Sequence, residues 1–495
     1  MNSKLLSHVL VVSLFLAAGL AQVSSQPDVL PLSTKSAKAR QLMEKVWDLE
    51  ADQVEQAKAC VVLRKIVHID PNFAVAHEIL AQFSLNPAEQ VSEQKKAFAT
   101  KKYATPAEQN MVDWFQGAAD HDWILAITSM NQLLKEYPHD RWVVLLANYW
   151  LGLENQYDRA AEVYERSGIL NSPGLDNNAA YTYAHMRQFD KAFALMDKYV
   201  AALPHDANPQ DSYAEILRMA GHYNQSIEHY RAALAINSNF YSSQFGIADT
   251  YMLKGEEERA REEYTIGFRK FAIPALHWVQ WKNREAFTYI RDGDLEGANK
   301  AFQILADYAQ VNKMGQVEAD TYRQMAIYQP DPKQTLTFLN KAEAVIREGR
   351  NTMAIAVQQE LAQITRARVE LAVKEGDTSA VESSLAKLAA LSDGSDDKVI
   401  EAAYHGAAGA ALFSQRKYKE AIAHLEEDTD NPLSLRLLAA AYRRSGDAQS
   451  AKHASEVLAS VNDPSLEQAL VVPPFRECLQ NPNCDAGMKN ASLLQ

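Results

Sequence analysis

Apolar positions along this chain recur with the period of an α-helix, and they do so in short stretches that break and restart. Tyr223, Ser226, Ile227, Tyr230, Ala233 and Leu234 fall at the i, i+3, i+4, i+7 spacing that lines one face of a helix. The stretch before them, Asp211 to Ala220, is amphipathic and richer in small residues, and Gly221 lies between the two. Each unit therefore reads as two helices joined at a residue tolerant of positive φ. No run alternates with a period of two for long enough to predict a strand.

The same unit returns along the chain. Aligning "GHYNQSIEHYRAALAI" from Gly221 with "GEEERAREEYTIGFRKF" from Gly255 places Tyr230 on Tyr264, 34 residues later. Tyr157, Ala160 and Tyr164 repeat the pattern upstream, as do Phe189, Ala192 and Met196. Leu295, Ala298 and Phe302 continue it downstream, and weaker copies surround Gly376, Tyr418 and Gly446. With Gly293, the glycines at 221, 255, 376 and 446 stand where a first helix must stop.

This order of small residue, Gly, aromatic, Ala, aromatic, Ala, Pro at a 34-residue period resembles the tetratricopeptide repeat family. "YAEIL" at Tyr213 and "IADTY" at Ile247 match the first-helix pattern; Ser226, Ser238 and Glu257 depart from it at single positions. The resemblance implies an all-α, right-handed superhelical α-solenoid of about ten or eleven repeats. It divides the chain into degenerate repeats over 38–140, well-formed repeats over 141–312, degenerate repeats over 313–465, and a capping tail over 466–495 that covers the last apolar edge.

Composition adds a setting. Lys4 precedes an apolar run from Val9 to Leu20, too short to span a bilayer, with small residues before a cut after Ala21 or Ser25. Residues 1–25 thus read as a secretory signal peptide, and the mature chain is expected to be periplasmic or secreted with no integral membrane segment. The net charge of −13 becomes one unit more negative when Lys4 leaves with the leader. No basic patch offsets it, so nucleic acid is not an expected partner. Of three cysteines, Cys478 and Cys484 in "CLQNPNC" suit a small disulfide loop in an oxidising compartment, and Cys60, inside an apolar run, suits the core.

Chemistry has little support in the pattern. His121–Asp122, His139–Asp140 and His205–Asp206 are sequence neighbours, which usually point apart, and the last two pairs follow Pro138 and Pro204 at repeat ends. His222 and His229 are two helical turns apart, roughly 10 Å, too far to share a metal unaided. "GAAGAAL" at 406–412 lacks the Lys-Ser/Thr of a phosphate loop and suits the small-residue face of a first helix. No HExxH, GxSxG or paired CxxC motif occurs, so no catalytic, cofactor or metal site is expected. Tryptophans 114, 123, 142, 150, 278 and 281 cluster in two regions and suit core packing, with an aromatic groove as the functional alternative.

The resemblance implies that first helices line a concave groove. Projecting that face onto this chain gives Asn177, Tyr181, Asp211, Glu215, Arg218, Phe245, Asp249, Asn283 and Phe287 as residues for a protein or peptide partner. The expected function is an exported, non-catalytic scaffold for protein–protein interaction; the alternative is an adaptor subunit of an envelope polysaccharide-export or secretion machine.

Overall fold

The turn between the two helices of a repeat sets the local structure. Gly221 and Gly255 sit at φ of 81° and 88°, and Gly293, Gly376 and Gly446 share that left-handed region. Three of these glycines are followed by an aspartate that caps the next helix: Asp294 accepts from the Gly297 amide at 2.9 Å, and Asp377 and Asp447 accept from Ala380 and Ser450 at 3.0 Å. Asn155, Arg187 and Arg416 take the left-handed conformation at equivalent turns, and Lys313 takes it between two hairpins, all without the freedom of glycine.

The computed structural model describes residues 29–120, 122–395 and 397–480, so the signal-peptide segment and Cys484 lie outside the described residues. Among the described residues there are 25 α-helices and no strand, and successive helices pack in pairs from Ala37 to Ala459. The chain is an all-α solenoid of helix hairpins. Within the ranges read as degenerate repeats helices pair as well: Ala74–Phe83 with Pro87–Thr100, and Gly315–Ile327 with Pro332–Arg347.

Small residues under large ones hold neighbouring hairpins together. Tyr230 on the outer helix Tyr223–Ile236 is buried against Gly246 of the next inner helix, Tyr241–Lys254, where an added Cβ would overlap its ring. Within the next hairpin the roles are reversed: Phe245 of that inner helix packs against Gly267 of the outer helix Glu257–Lys270, where a Cβ would lie 2.7 Å from its ring. Ala214, Ala248, Tyr264 and Phe302 are fully buried in the same continuous cluster. Trp114, Trp123 and Trp150 form a second buried aromatic group, with ring centroids 5.7 and 5.8 Å apart. Cys60 is buried and donates to the Phe83 carbonyl at 3.1 Å.

Both ends of the described chain reach across the solenoid. Near the N-terminus, the Leu30 amide donates to Asp140 at 2.8 Å, and Arg141 lies over the Trp47 ring at 4.4 Å. The π-helical turn Asp48–Asp52 abuts the inner helix Pro173–His185, where the Gly174 amide donates to Asp52 at 2.9 Å. At Gly174 a Cβ would lie 2.6 Å from the Ala51 carbonyl, so glycine is what permits this approach.

The C-terminal helix Leu466–Gln480 does more than cover the last hairpin. Leu466 and Ala469 join the central cluster that begins at Ala214, and Arg291 donates to Gln468 at 3.1 Å. Asn462 donates to the Met219 carbonyl at 3.1 Å and accepts from Arg476 at 2.7 Å. Val471, Val472 and Phe475 pack into the cluster of the last hairpin, while Leu466 and Ala469 find apolar partners in the middle repeats, so this helix joins the two. Cys478 is disulfide-bonded; its expected partner, Cys484, falls outside the described residues.

Replacing the exposed Lys313 or Arg416 with glycine should raise stability by roughly 1 kcal/mol each by relieving the left-handed backbone. Gly246→Ala should lower it by about 1–3 kcal/mol through the clash with Tyr230. Urea unfolding of the three variants checks both signs; a stabilising Gly246→Ala would contradict the packing described.

Candidate binding groove

Four successive inner helices, Pro173–His185, Asn208–Met219, Tyr241–Lys254 and Ala275–Arg291, line a cavity of ≈ 800 Å³. Residues Val54 to Lys58, which lead into the helix Gln56–Ile69, supply part of the opposite wall. The 34-residue period becomes geometry here. Tyr181, Glu215 and Asp249 occupy one register position on three consecutive inner helices, and all three face this cavity.

A charged network joins them. The Tyr181 hydroxyl donates to Glu215 at 2.9 Å, and Arg218 donates to the other Glu215 oxygen at 2.6 Å. Arg218 also contacts Asp249 at 3.4 Å and the Tyr230 hydroxyl at 3.3 Å. Arg284 and the Tyr264 hydroxyl both donate to Asp249. Arg218 and Asp249 are buried, and a buried charge persists only when paired and hydrogen-bonded. Two arginines shared among carboxylates meet that condition.

The protonation states follow from these contacts. Burial pushes the Asp211 carboxyl up to about 7, although Ser243 donates to it at 2.5 Å and Arg218 pulls the other way. Burial also works against ionised Glu215, but Arg218 and Arg284 outweigh it and hold that carboxyl below its usual value. The groove therefore sets Arg218 and Arg284 against Glu215 and Asp249, and holds in Asp211 one carboxyl poised to lose its proton near neutral pH.

Of the nine residues projected from the sequence, Asn177, Tyr181, Asp211, Glu215, Arg218 and Asp249 line the cavity. Phe245 and Phe287 do not, which corrects the projection. Phe245 shares the register of Asn177 and Asp211, but its ring enters the space above Gly267 and stacks on Trp281 with centroids 4.3 Å apart. Phe287 is buried beside Phe302. Asn283 is half-buried outside the lining, and Arg284, one residue on, takes the charge-facing place. The projection omits Tyr230, Trp281 and Arg284; a cation on each side of Asn283, in the register that carries Glu215 and Asp249, was the available signal for Arg284.

Other polar candidates serve the framework. Asp140 caps the helix Arg141–Leu153, while His139 turns to the Ser167 carbonyl at 2.5 Å. His121 lies outside the described residues, and His205 is exposed. Gly406 to Ala411 are buried along the helix Lys398–Ser414. Among the described residues no group of three or more His, Cys, Asp or Glu is placed to hold a metal ion, and no helix is long and apolar enough to cross a membrane.

By its hairpin period and packing the chain is an all-α solenoid of paired helices. No protein-family model and no curated protein matches it. Among solved structures it is similar to a tetratricopeptide repeat protein from Parabacteroides merdae, at 14% identity and TM-score 0.36 over 58% of this chain and 99% of that one. It is also similar to the C-terminal part of a TPR repeat-containing protein from Cytophaga hutchinsonii, at 17% identity and TM-score 0.29 over 52% of this chain and 98% of that one. A human IFIT1 dimer with m7Gppp-AAAA matches at 14% identity and TM-score 0.37, covering 85% of this chain and 98% of that one. At these scores the likenesses are of helical-repeat form and carry no weight for function.

The raised Asp211 carboxyl gives a pH signature. Unfolded, the group ionises near 4; folded, only near 7, so folding takes up a proton in between and wild-type stability falls as pH rises through that window. Asp211→Asn removes this term, so its stability relative to wild type should improve by about 2 kcal/mol between pH 5 and pH 8. Urea unfolding at the two pH values checks it; a difference independent of pH contradicts a buried, protonated Asp211.

Proposed function

We propose that the chain is an exported, non-catalytic scaffold that binds an extended segment of a protein partner along the groove of its inner helices. The observation that carries this reading is the recurrence of Tyr181, Glu215 and Asp249 at one register position, all facing the ≈ 800 Å³ cavity. An extended segment presents side chains and backbone groups at regular intervals, and a repeated row of anchored polar groups can meet them in sequence. Because Arg218, Arg284 and the tyrosines hold the carboxylates before any partner arrives, little ordering is left to oppose binding. The leader-like residues 1–25 support export, and the acidic balance of the chain disfavours a polyanionic partner.

Selection of displayed peptides on the full chain tests the proposal. Peptides that bind should lose at least about ten-fold in affinity, roughly 1.4 kcal/mol, in the double variant Tyr181→Phe, Glu215→Gln, with the helical circular dichroism unchanged. Equal binding by wild type and variant would move the site elsewhere. Cleavage or modification of a bound peptide by the purified chain would contradict the non-catalytic reading.

A further inference from the structure

A second cavity of ≈ 390 Å³ adjoins the groove and shares Val54, Tyr149, Asn177 and Tyr181 with it. Its rim is apolar and open to solvent: Val54, Tyr149 and Leu153 are 41%, 44% and 54% exposed. Its interior holds two hydrogen-bond acceptors without partners. Oε2 of Glu50, a residue 9% exposed, accepts no hydrogen bond within the protein, and neither does Oδ1 of Asn177, a residue 7% exposed. Leaving a buried acceptor unpaired costs about 1–3 kcal/mol, so two in one cavity mark a place where donors are wanted.

The backbone supports this placement. Glu50 lies in the π-helical turn Asp48–Asp52, and such turns are frequent at functional sites. Asp52, from the same turn, ties it to Gly174 at the start of the helix that carries Asn177. Glu50 and Asn177 are thereby both held in the lining of one cavity.

We propose that this cavity takes a lysine side chain of the partner segment, its aliphatic stem against Val54, Tyr149 and Leu153 and its ammonium donating to Glu50 and Asn177. An ammonium offers three donors and no acceptor, which suits two orphaned acceptors, and a lysine stem covers apolar surface while its head reaches a polar group. The overall acidity of the chain favours a cationic occupant. This inference rests on the groove reading and adds a specificity to it.

Burial pushes the Glu50 carboxyl up to about 8, and the ionisable neighbours that feel its charge, Cys60 and Tyr149, are themselves raised. His185, Tyr157 and Tyr181 complete the titratable lining. An ammonium therefore binds with loss of the Glu50 proton, and its affinity rises with pH until Glu50 is ionised.

Hexylamine serves as the probe, with hexanol as its uncharged counterpart and butylguanidine as the arginine-like one, by isothermal titration of the full chain. Hexylamine should bind at least about ten-fold more tightly than hexanol, and its affinity should rise roughly ten-fold per unit between pH 6 and pH 7.5. Glu50→Gln should remove the ammonium preference and the pH slope, and Asn177→Ala should weaken hexylamine several-fold. Equal binding of hexylamine and hexanol, a flat pH profile, an unaffected Glu50→Gln, or a preference for butylguanidine overturns the proposal. Peptides that bind the groove without requiring lysine would overturn the lysine site alone. Failure of every peptide to bind would overturn the groove reading, while the hexylamine comparison still decides whether the cavity selects an ammonium.

Discussion

A single helical hairpin cannot bury both of its faces, and the whole molecule depends on the way consecutive hairpins meet that constraint. In the middle of the chain a large side chain on an outer helix enters a place where the next inner helix has almost none, as Tyr230 does at Gly246. The match must recur at the spacing of the repeat, because each hairpin is both the support of one neighbour and the load on the other. Ala214, Ala248, Tyr264 and Phe302 continue the series through the central cluster. Interiors packed to this density transmit a misplaced methyl group to their neighbours, so the small positions are as restrictive as the large ones.

The groove follows from the same register. Positions that face away from the inter-hairpin contact recur every repeat on the inner helices, and in the middle of the chain they carry Tyr181, Glu215 and Asp249. Stacking brings these polar groups close together in partly buried surroundings, where an unpaired charge would be severely penalised. Arg218 and Arg284 answer that penalty, and in doing so they fix the carboxylates in place. Packing and binding surface are thus two faces of one periodicity.

What could be read in the sequence divides along the same line. The hairpin period, the turn glycines and the packed stripe from Tyr223 to Leu234 depend on neighbours a few residues apart, and helical periodicity displays them directly. The projected groove was partly legible, since its residues recur with the repeat. It failed at Phe245, whose ring is diverted by the absent side chain at Gly267, and at Asn283, where a longer inner helix presents Arg284 instead. Contacts between distant segments were not legible: the hold of Asn462 on Met219 and of Asp52 on Gly174 joins residues with no periodic relation. Glu50 belongs to that class, because its burial is created by a helix that begins more than a hundred residues later.

Hydrogen–deuterium exchange of the full chain with and without a selected binding peptide addresses the central claim most directly. The account predicts added protection confined to the inner helices Pro173–His185, Asn208–Met219, Tyr241–Lys254 and Ala275–Arg291 and to the wall around Val54 to Lys58. Protection concentrated instead on the outer helices Tyr223–Ile236 and Glu257–Lys270, with the inner four unchanged, would contradict it.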